Sequence, residues 1–177
     1  MKRKDTKQII KEFFLLNPNF RLRVREIERE LNLSLPSVIV SVKQLVEDEL
    51  LQIVKIGNVV FYQANRSNEK YVFEKKLFNL RLLKNSGLIE YLKYNYSNPT
   101  IVLFGSFMKG EDIEISDIDI FIETSDKKEL NLEKYEIFLK RKIQTFKSKN
   151  FLSITNKDLA NNIANGIVLN SFLKVIK

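Results

Sequence analysis

The sequence predicts an α+β protein in two parts, and three observations carry that reading. The first half sets apolar residues at helical spacing in three successive segments and ends on two period-two runs. The second half holds short apolar runs rich in β-branched or aromatic residues, TIVLF, DIDIFI and RKIQTFK. The 177 residues fit one domain or two small ones, and 44% hydrophobic residues with 13 Phe are enough to bury a core.

Taken in order, TKQIIKEFFLLN places Ile9, Ile10, Phe13, Phe14 and Leu16 on a helical stripe that stops before Pro18. VREIERELN repeats the pattern with Val24, Ile27 and Leu31 inward. After the turn LSLP, with Ser34 as N-cap and Pro36 in the first turn, SVIVSVKQLVEDEL sets Val38, Val42, Leu45 and Glu49 on one side. LQIVKI and VVFYQA then alternate as strands about Gly57-Asn58, a tight hairpin turn. From Ser67 a long amphipathic stretch carries Val72, Phe73, Leu77 and Leu80 inward. Asn85-Ser86-Gly87 interrupts it before a second helix, LIEYLKYNY. The last segment, NKDLANNIANGIVLNSF, reads as a helix, and Asn156, Asn161, Asn162, Asn165 and Asn170 are expected on its polar face. No internal repeat or low-complexity linker interrupts the chain.

Composition removes much chemistry. With no Cys there is no disulfide or thiolate site, and with no His there is no histidine base and almost no zinc chemistry. An enzyme built from this chain must use carboxylates, Lys, Tyr, hydroxyls and a hard metal ion. The N-terminal run MKRKDTKQIIKEFFLLNP is broken by Lys11 and Glu12 and does not read as a signal peptide. No run of 18 apolar residues suggests a membrane span, so a cytoplasmic protein without membrane partners is expected. The net charge of +8 is uneven: residues 1–66 carry 12 basic and 8 acidic side chains, whereas residues 98–177 carry 12 and 11. A polyanionic partner is expected for the first half, with solubility as the plainer alternative.

Three helices followed by a hairpin, carried by LNLSLPSVIVSVKQLVEDELLQIVKIGNVVFYQ, resemble the winged helix-turn-helix family of transcription regulators over about residues 5–65. The resemblance implies that the third helix enters the major groove of duplex DNA, and that the chain can pair as a homodimer. On it, Ser37, Ser41, Lys43 and Gln44 would face DNA, while Arg21, Arg23, Arg25 and Lys55 would approach the backbone. The third helix departs from the pattern in holding a single cation, Lys43, beside outward candidates such as Val40. Bidentate Arg readout of guanine is therefore absent there, and a protein-contact or dimer surface is the alternative.

LFGSFMKGEDIEISDIDIFIE, residues 103–123, is the most informative stretch. Between Glu111 and Asp126 the chain places seven carboxylates and no Lys or Arg. TIVLF suits a buried strand ending at Gly105-Ser106, where backbone N–H groups can approach an anion. In Asp117-Ile118-Asp119-Ile120-Phe121-Ile122, strand alternation sends both aspartates to one face and the isoleucines to the other. Asp is a poor strand former, and a shared divalent cation, Mg²⁺ or Mn²⁺, would explain the pair, since it takes oxygen ligands and bridges to phosphates. Solvated acids on a half-exposed strand are the alternative.

The strand, Gly105-Ser106, the gap and Asp117-Ile118-Asp119 together resemble the nucleotidyltransferase superfamily of DNA polymerase beta, and within it the minimal stand-alone members of archaea and bacteria. The resemblance covers about residues 86–177. It implies a small mixed β-sheet flanked by helices. In that fold Gly105 and Ser106 would cradle an NTP, with ATP the expected one, and Asp117 and Asp119 would hold the metal. The implied reaction moves a nucleoside monophosphate to a hydroxyl with loss of pyrophosphate. Lys109 falls where many members have Arg, which leaves a phosphate contact without bidentate geometry. The third carboxylate expected on the neighbouring strand RKIQTFK is replaced by Gln144. An amide cannot act as a base, and loss of a positioned base costs about 10²–10⁴ in rate. Glu123 and Glu136 are the substitutes considered, without support from their registers.

The sequence thus divides into a winged helix-turn-helix domain over 1–66, a connector helix over 67–85 and a nucleotidyltransferase-like domain over 86–177. Three readings stay open. One is an enzyme acting on a protein or other hydroxyl acceptor. Another is a DNA-binding regulator whose degenerate domain senses nucleotide. The third, from the minimal members, is an antitoxin-like partner of a HEPN-type toxin.

Overall fold

The computed structural model describes residues 5–176. Lys2, Arg3 and Lys4 of the basic N-terminal stretch lie outside the described residues. The chain divides into two units, residues 1–78 and 79–177, and is a mixed α+β protein.

In the first unit, α1 (Thr6–Leu16), α2 (Val24–Leu31) and α3 (Leu35–Glu47) precede the strands β2 (Leu51–Ile56) and β3 (Val59–Ala64). A two-residue strand β1 (Arg21–Leu22), too short to leave a periodic signal, pairs antiparallel with β3, giving the order β1-β3-β2. Gly57, with φ of 57°, supplies the left-handed residue that the β2–β3 turn requires. Ile10, Phe14, Leu15, Ile27, Val38, Val42 and Leu45 are buried, so the helical stripes face one core. Ser34 occupies the N-cap position of α3, but its hydroxyl donates to Ser37 Oγ rather than capping the backbone. Glu49 departs from the inward stripe expected of it. It lies past the end of α3 with φ of 65° and pairs with Lys70.

The stretch expected as a connector forms α4 (Glu69–Ser86), and the division between the units falls inside it. Its inward residues are not the apolar stripe predicted from sequence. Phe73 and Leu77 are exposed, whereas Tyr71, Lys75 and Asn79 are nearly fully buried. The reason is hydrogen bonding. Tyr71 Oη donates to Phe14 O (3.0 Å) and Lys75 Nζ to Leu15 O (2.6 Å), satisfying carbonyls in the last turn of α1. Asn79 serves the second unit in the same way, as described below.

In the second unit, α5 (Leu88–Asn95) leads into β4 (Thr100–Phe104), every residue of which is buried. A short helix α6 (Gly105–Lys109), β5 (Ile118–Glu123), α7 (Glu133–Leu139) and β6 (Ile143–Ser148) follow. The expected last helix is corrected. α8 spans only Lys157–Ala164, and Ile167–Asn170 forms a strand, β7. Gly166 makes this return possible, since a Cβ there would lie 2.6 Å from Leu103 O and from Val102 Cγ1. The sheet order is β6-β5-β4-β7, with β5 and β6 parallel and the other pairs antiparallel. On one face Ile118, Ile120 and Ile122 pack with Leu83, Leu88, Leu92 and Leu139. On the other, Val102, Phe104 and Phe121 pack with Phe151 and Ile163. Among the described residues no helix is long and apolar enough to cross a membrane.

Candidate nucleotide site

The site is assembled where β4 ends, β5 begins and β6 runs beside it. Antiparallel pairing sets Phe104 opposite Asp119, so the strand-to-helix turn at Gly105 meets the carboxylate directly. Gly105 has φ of 76°, and a Cβ built on it would lie 2.1 Å from Asp119 Oδ2. Glycine is thus required twice, for the left-handed backbone and for the space that the carboxylate occupies. Asp119 is half-buried and Asp117 exposed, while Ile118 and Ile120 between and beyond them are fully buried on the opposite face. β5 begins at Ile118, so Asp119 lies on the strand and Asp117 immediately before it.

Neither carboxylate is engaged by a hydrogen bond or ion pair among the described residues. Burial, and secondarily the Asp117 charge, push the Asp119 carboxyl above the ordinary aspartate range. The pair is thus a concentration of negative charge with no direct ion pair, the Lys142 ammonium acting on Asp117 only through space, a donor set that suits a hard divalent cation. Among the described residues no group of three or more metal-ligating acidic side chains converges. The third position is explained by register: Gln144 lies opposite Asp119 in the parallel β5–β6 pair and is exposed. The two carboxylates considered as substitutes are held elsewhere. Glu123, at the far end of β5, accepts from Phe151 N (3.0 Å). Glu136 accepts from Ile143 N (3.0 Å) and Lys142 Nζ (2.8 Å), fixing the start of β6.

That engagement has a pH consequence. The Lys142 ammonium and the Ile143 amide hold the Glu136 carboxyl below the ordinary glutamate range. Because the folded state then binds fewer protons than the unfolded state, Glu136 contributes stability above its unfolded pKa, about 4.3, and that stability is lost as pH falls through the folded value. Glu136→Gln should flatten the acid side of a stability–pH curve measured by urea unfolding. An unchanged slope would contradict this role.

Gly105 and Ser106 form the start of α6, and the Ser106 carbonyl accepts from Gly110 N and Glu111 N, closing the helix. Lys109 is exposed on the last turn of α6. The loop from Gly110 to Asp117 is tied by Ile113 N donating to Ser116 Oγ and Ser116 N to Ile113 O, both 3.0 Å. An open pocket of ≈ 390 Å³ beside Asp117 is lined by Glu114, Ser116, Glu136, Ile137, Lys140 and Lys142.

Sequence reasoning missed the buried network under this loop. Asp112 is 1% exposed, accepts from Asn79 Nδ2 (2.6 Å) and lies 3.4 Å from Arg141 Nη2. Asn79 Nδ2 also donates to Phe107 O (2.9 Å), so one amide ties α4 to both α6 and the loop. Asp112 was hidden in a run of acids, and nothing in its local pattern separates it from its exposed neighbours.

The residues expected to face DNA all lie in the first unit. Arg21, Arg23, Arg25, Lys43, Gln44 and Lys55 are exposed and Ser37 is half-buried. Ser41 is corrected: it is 5% exposed, turned inward with Val38, Val42 and Leu45 on the buried stripe of α3. Arg21 Nε donates to Gln63 Oε1 (2.8 Å), and Arg23 is paired with Glu26.

Residues 86–171 match the family model described as polymerase beta, nucleotidyltransferase. The match supports membership of the nucleotidyltransferase superfamily for this part of the chain, and it spans Gly105, Asp117, Asp119 and Gln144. No curated protein and no solved structure matches the chain.

Proposed function

We propose that the second unit binds an NTP with Mg²⁺, or Mn²⁺ in its place, and transfers its nucleoside monophosphate to a hydroxyl of a protein or other acceptor. The observation that carries this reading is the unpaired Asp117–Asp119 carboxylate pair set against the Gly105 turn, within a segment that matches a nucleotidyltransferase family model. Asp117 and Asp119 would hold the metal, whose charge would polarise the phosphates and neutralise charge as pyrophosphate leaves. Gly105 and Ser106 leave the backbone open to the triphosphate, and Lys109 offers a point charge to it. ATP is the NTP we favour.

Gln144 supports a second reading, that the unit binds nucleotide without turning it over. Its register opposite Asp119 puts an amide where a base would be needed. Gln144→Asp separates the two. If the missing base limits an enzyme, pyrophosphate release should rise by about 10²-fold or more. No change would remove Gln144 from the argument.

The first unit, read as a winged helix-turn-helix, would recruit the chain to duplex DNA or to a protein partner. The inward turn of Ser41 and the exposed Ile39 and Val40 on α3 favour a partner surface on that helix, where a second copy or a toxin-like acceptor protein could dock. A cytoplasmic protein is the setting proposed.

A further inference from the structure

We infer that the groove between α2 and the start of β3 binds nucleotide phosphates through Arg25 and Arg29, apart from the candidate nucleotide site of the second unit. The groove is a pocket of ≈ 640 Å³ lined by Arg23, Arg25, Arg29, Glu26, Asn58 and Tyr62, with Val24, Val59 and Val60 as apolar walls. That volume lies within the range of small-molecule sites, about 300–1,000 Å³.

The charge of the lining is lopsided. Three guanidinium groups face one carboxylate, and that carboxylate is already taken: Arg23 Nε donates to Glu26 Oε1 (2.9 Å), and Glu26 Oε2 accepts from Arg23 N (2.8 Å). Glu28 and Glu30 on the same helix are outside the lining. Arg25 and Arg29 stand four residues apart on α2, the spacing at which like charges on a helix repel. Neither guanidinium has a hydrogen bond or a close ion pair among the described residues, and Glu26 reaches Arg29 only through space. An anion in the groove would relieve that repulsion, and a guanidinium fork matches phosphate oxygens in pairs. The amide of Asn58 and the aromatic Tyr62, against valine walls, add what a sugar or base needs.

The outward side of α3 is poorly suited to the same task. From Ile39 to the C-cap its exposed residues are Ile39, Val40, Lys43, Gln44, Glu47 and Asp48, with Asp48 paired to Lys7, so Lys43 is the single cation on that side. The phosphate-binding surface of this unit is therefore the α2 groove, and it recognises phosphate without reading base sequence.

The test uses the full chain carrying Asp117→Ala/Asp119→Ala, so that nucleotide held in the second unit does not enter the reading. Fluorescence anisotropy with short labelled duplexes of two unrelated sequences should show binding that weakens with salt and agrees within about twofold between them. Adding Arg25→Ala/Arg29→Ala should weaken binding and make the slope of log K against log salt shallower by about 2. Arg25→Lys/Arg29→Lys, which keeps the charge, should keep the slope, and it decides the matter if the alanine variant fails to fold. ATP without metal, added as competitor and as a labelled ligand, separates the two sources of phosphate. Arginine-dependent displacement assigns the groove to free nucleotide, and its absence assigns it to a nucleic-acid strand. The inference is overturned if neither probe binds, if the alanine variant binds with the same slope, or if binding prefers one duplex through Gln44.

Discussion

Asp112→Ala is expected to destabilise the second unit by about 3–5 kcal/mol, the cost of removing one partner from a buried ion pair. The side chains of Asp112 and Arg141 are 0% and 4% exposed, so the guanidinium left behind would lose its charged partner with little solvent contact to compensate. The same substitution removes one of the two acceptors of the Asn79 amide, which otherwise holds α6 and the loop to α4. Asp112→Asn, which keeps an acceptor toward Asn79 but not the charge, should cost less. Urea unfolding followed by far-UV circular dichroism measures both. A loss below about 1 kcal/mol for the alanine variant would mean that the network is not what fixes the loop beneath Asp117.

Gly105→Ala carries the second large effect, on stability and on the site together. The left-handed backbone at φ of 76° disfavours any residue with a Cβ, by about 1–2 kcal/mol. The added Cβ must also displace Asp119 Oδ2, which would otherwise lie 2.1 Å away. The expected result is a modest loss of stability with a large loss of metal-dependent nucleotide affinity. Gly57→Ala separates the causes. Gly57 has φ of 57° but no atom within 4 Å of its added Cβ. It should show the backbone cost and leave nucleotide affinity intact. Equal affinity in both variants would mean that Asp119 is not held against the glycine for binding.

Both effects depend on features that the sequence showed unequally. The central strands were legible from their apolar residues: β4 is buried throughout, and Ile118, Ile120 and Ile122 of β5 share one buried face. The helices of the first unit followed from apolar spacing, yet Ser41, expected outward, lies inward, since a small hydroxyl residue fits either side of a helix. The inward face of α4 was misread because Lys75 and Asn79 are buried through hydrogen bonds to carbonyls distant in sequence. A hydrophobic stripe cannot report such contacts. β7 was lost to the helical reading of the segment before it. Ile167-Val168-Leu169 directly after Asn165-Gly166 was the available signal, a β-branched run behind a turn dipeptide. The replacement at Gln144 was legible and so was its strand. The parallel register that sets it opposite Asp119 required the structure.

The central claim is that Asp117 and Asp119 serve a metal-bound nucleotide. Isothermal titration of ATP, then the other NTPs, with and without Mg²⁺, into the wild type and Asp117→Ala/Asp119→Ala tests it most directly. The result expected is binding that requires Mg²⁺ and disappears in the double variant while the fold persists by circular dichroism. Failure of the wild type to bind any NTP in the presence of Mg²⁺, or binding that survives the loss of both carboxylates, would contradict it.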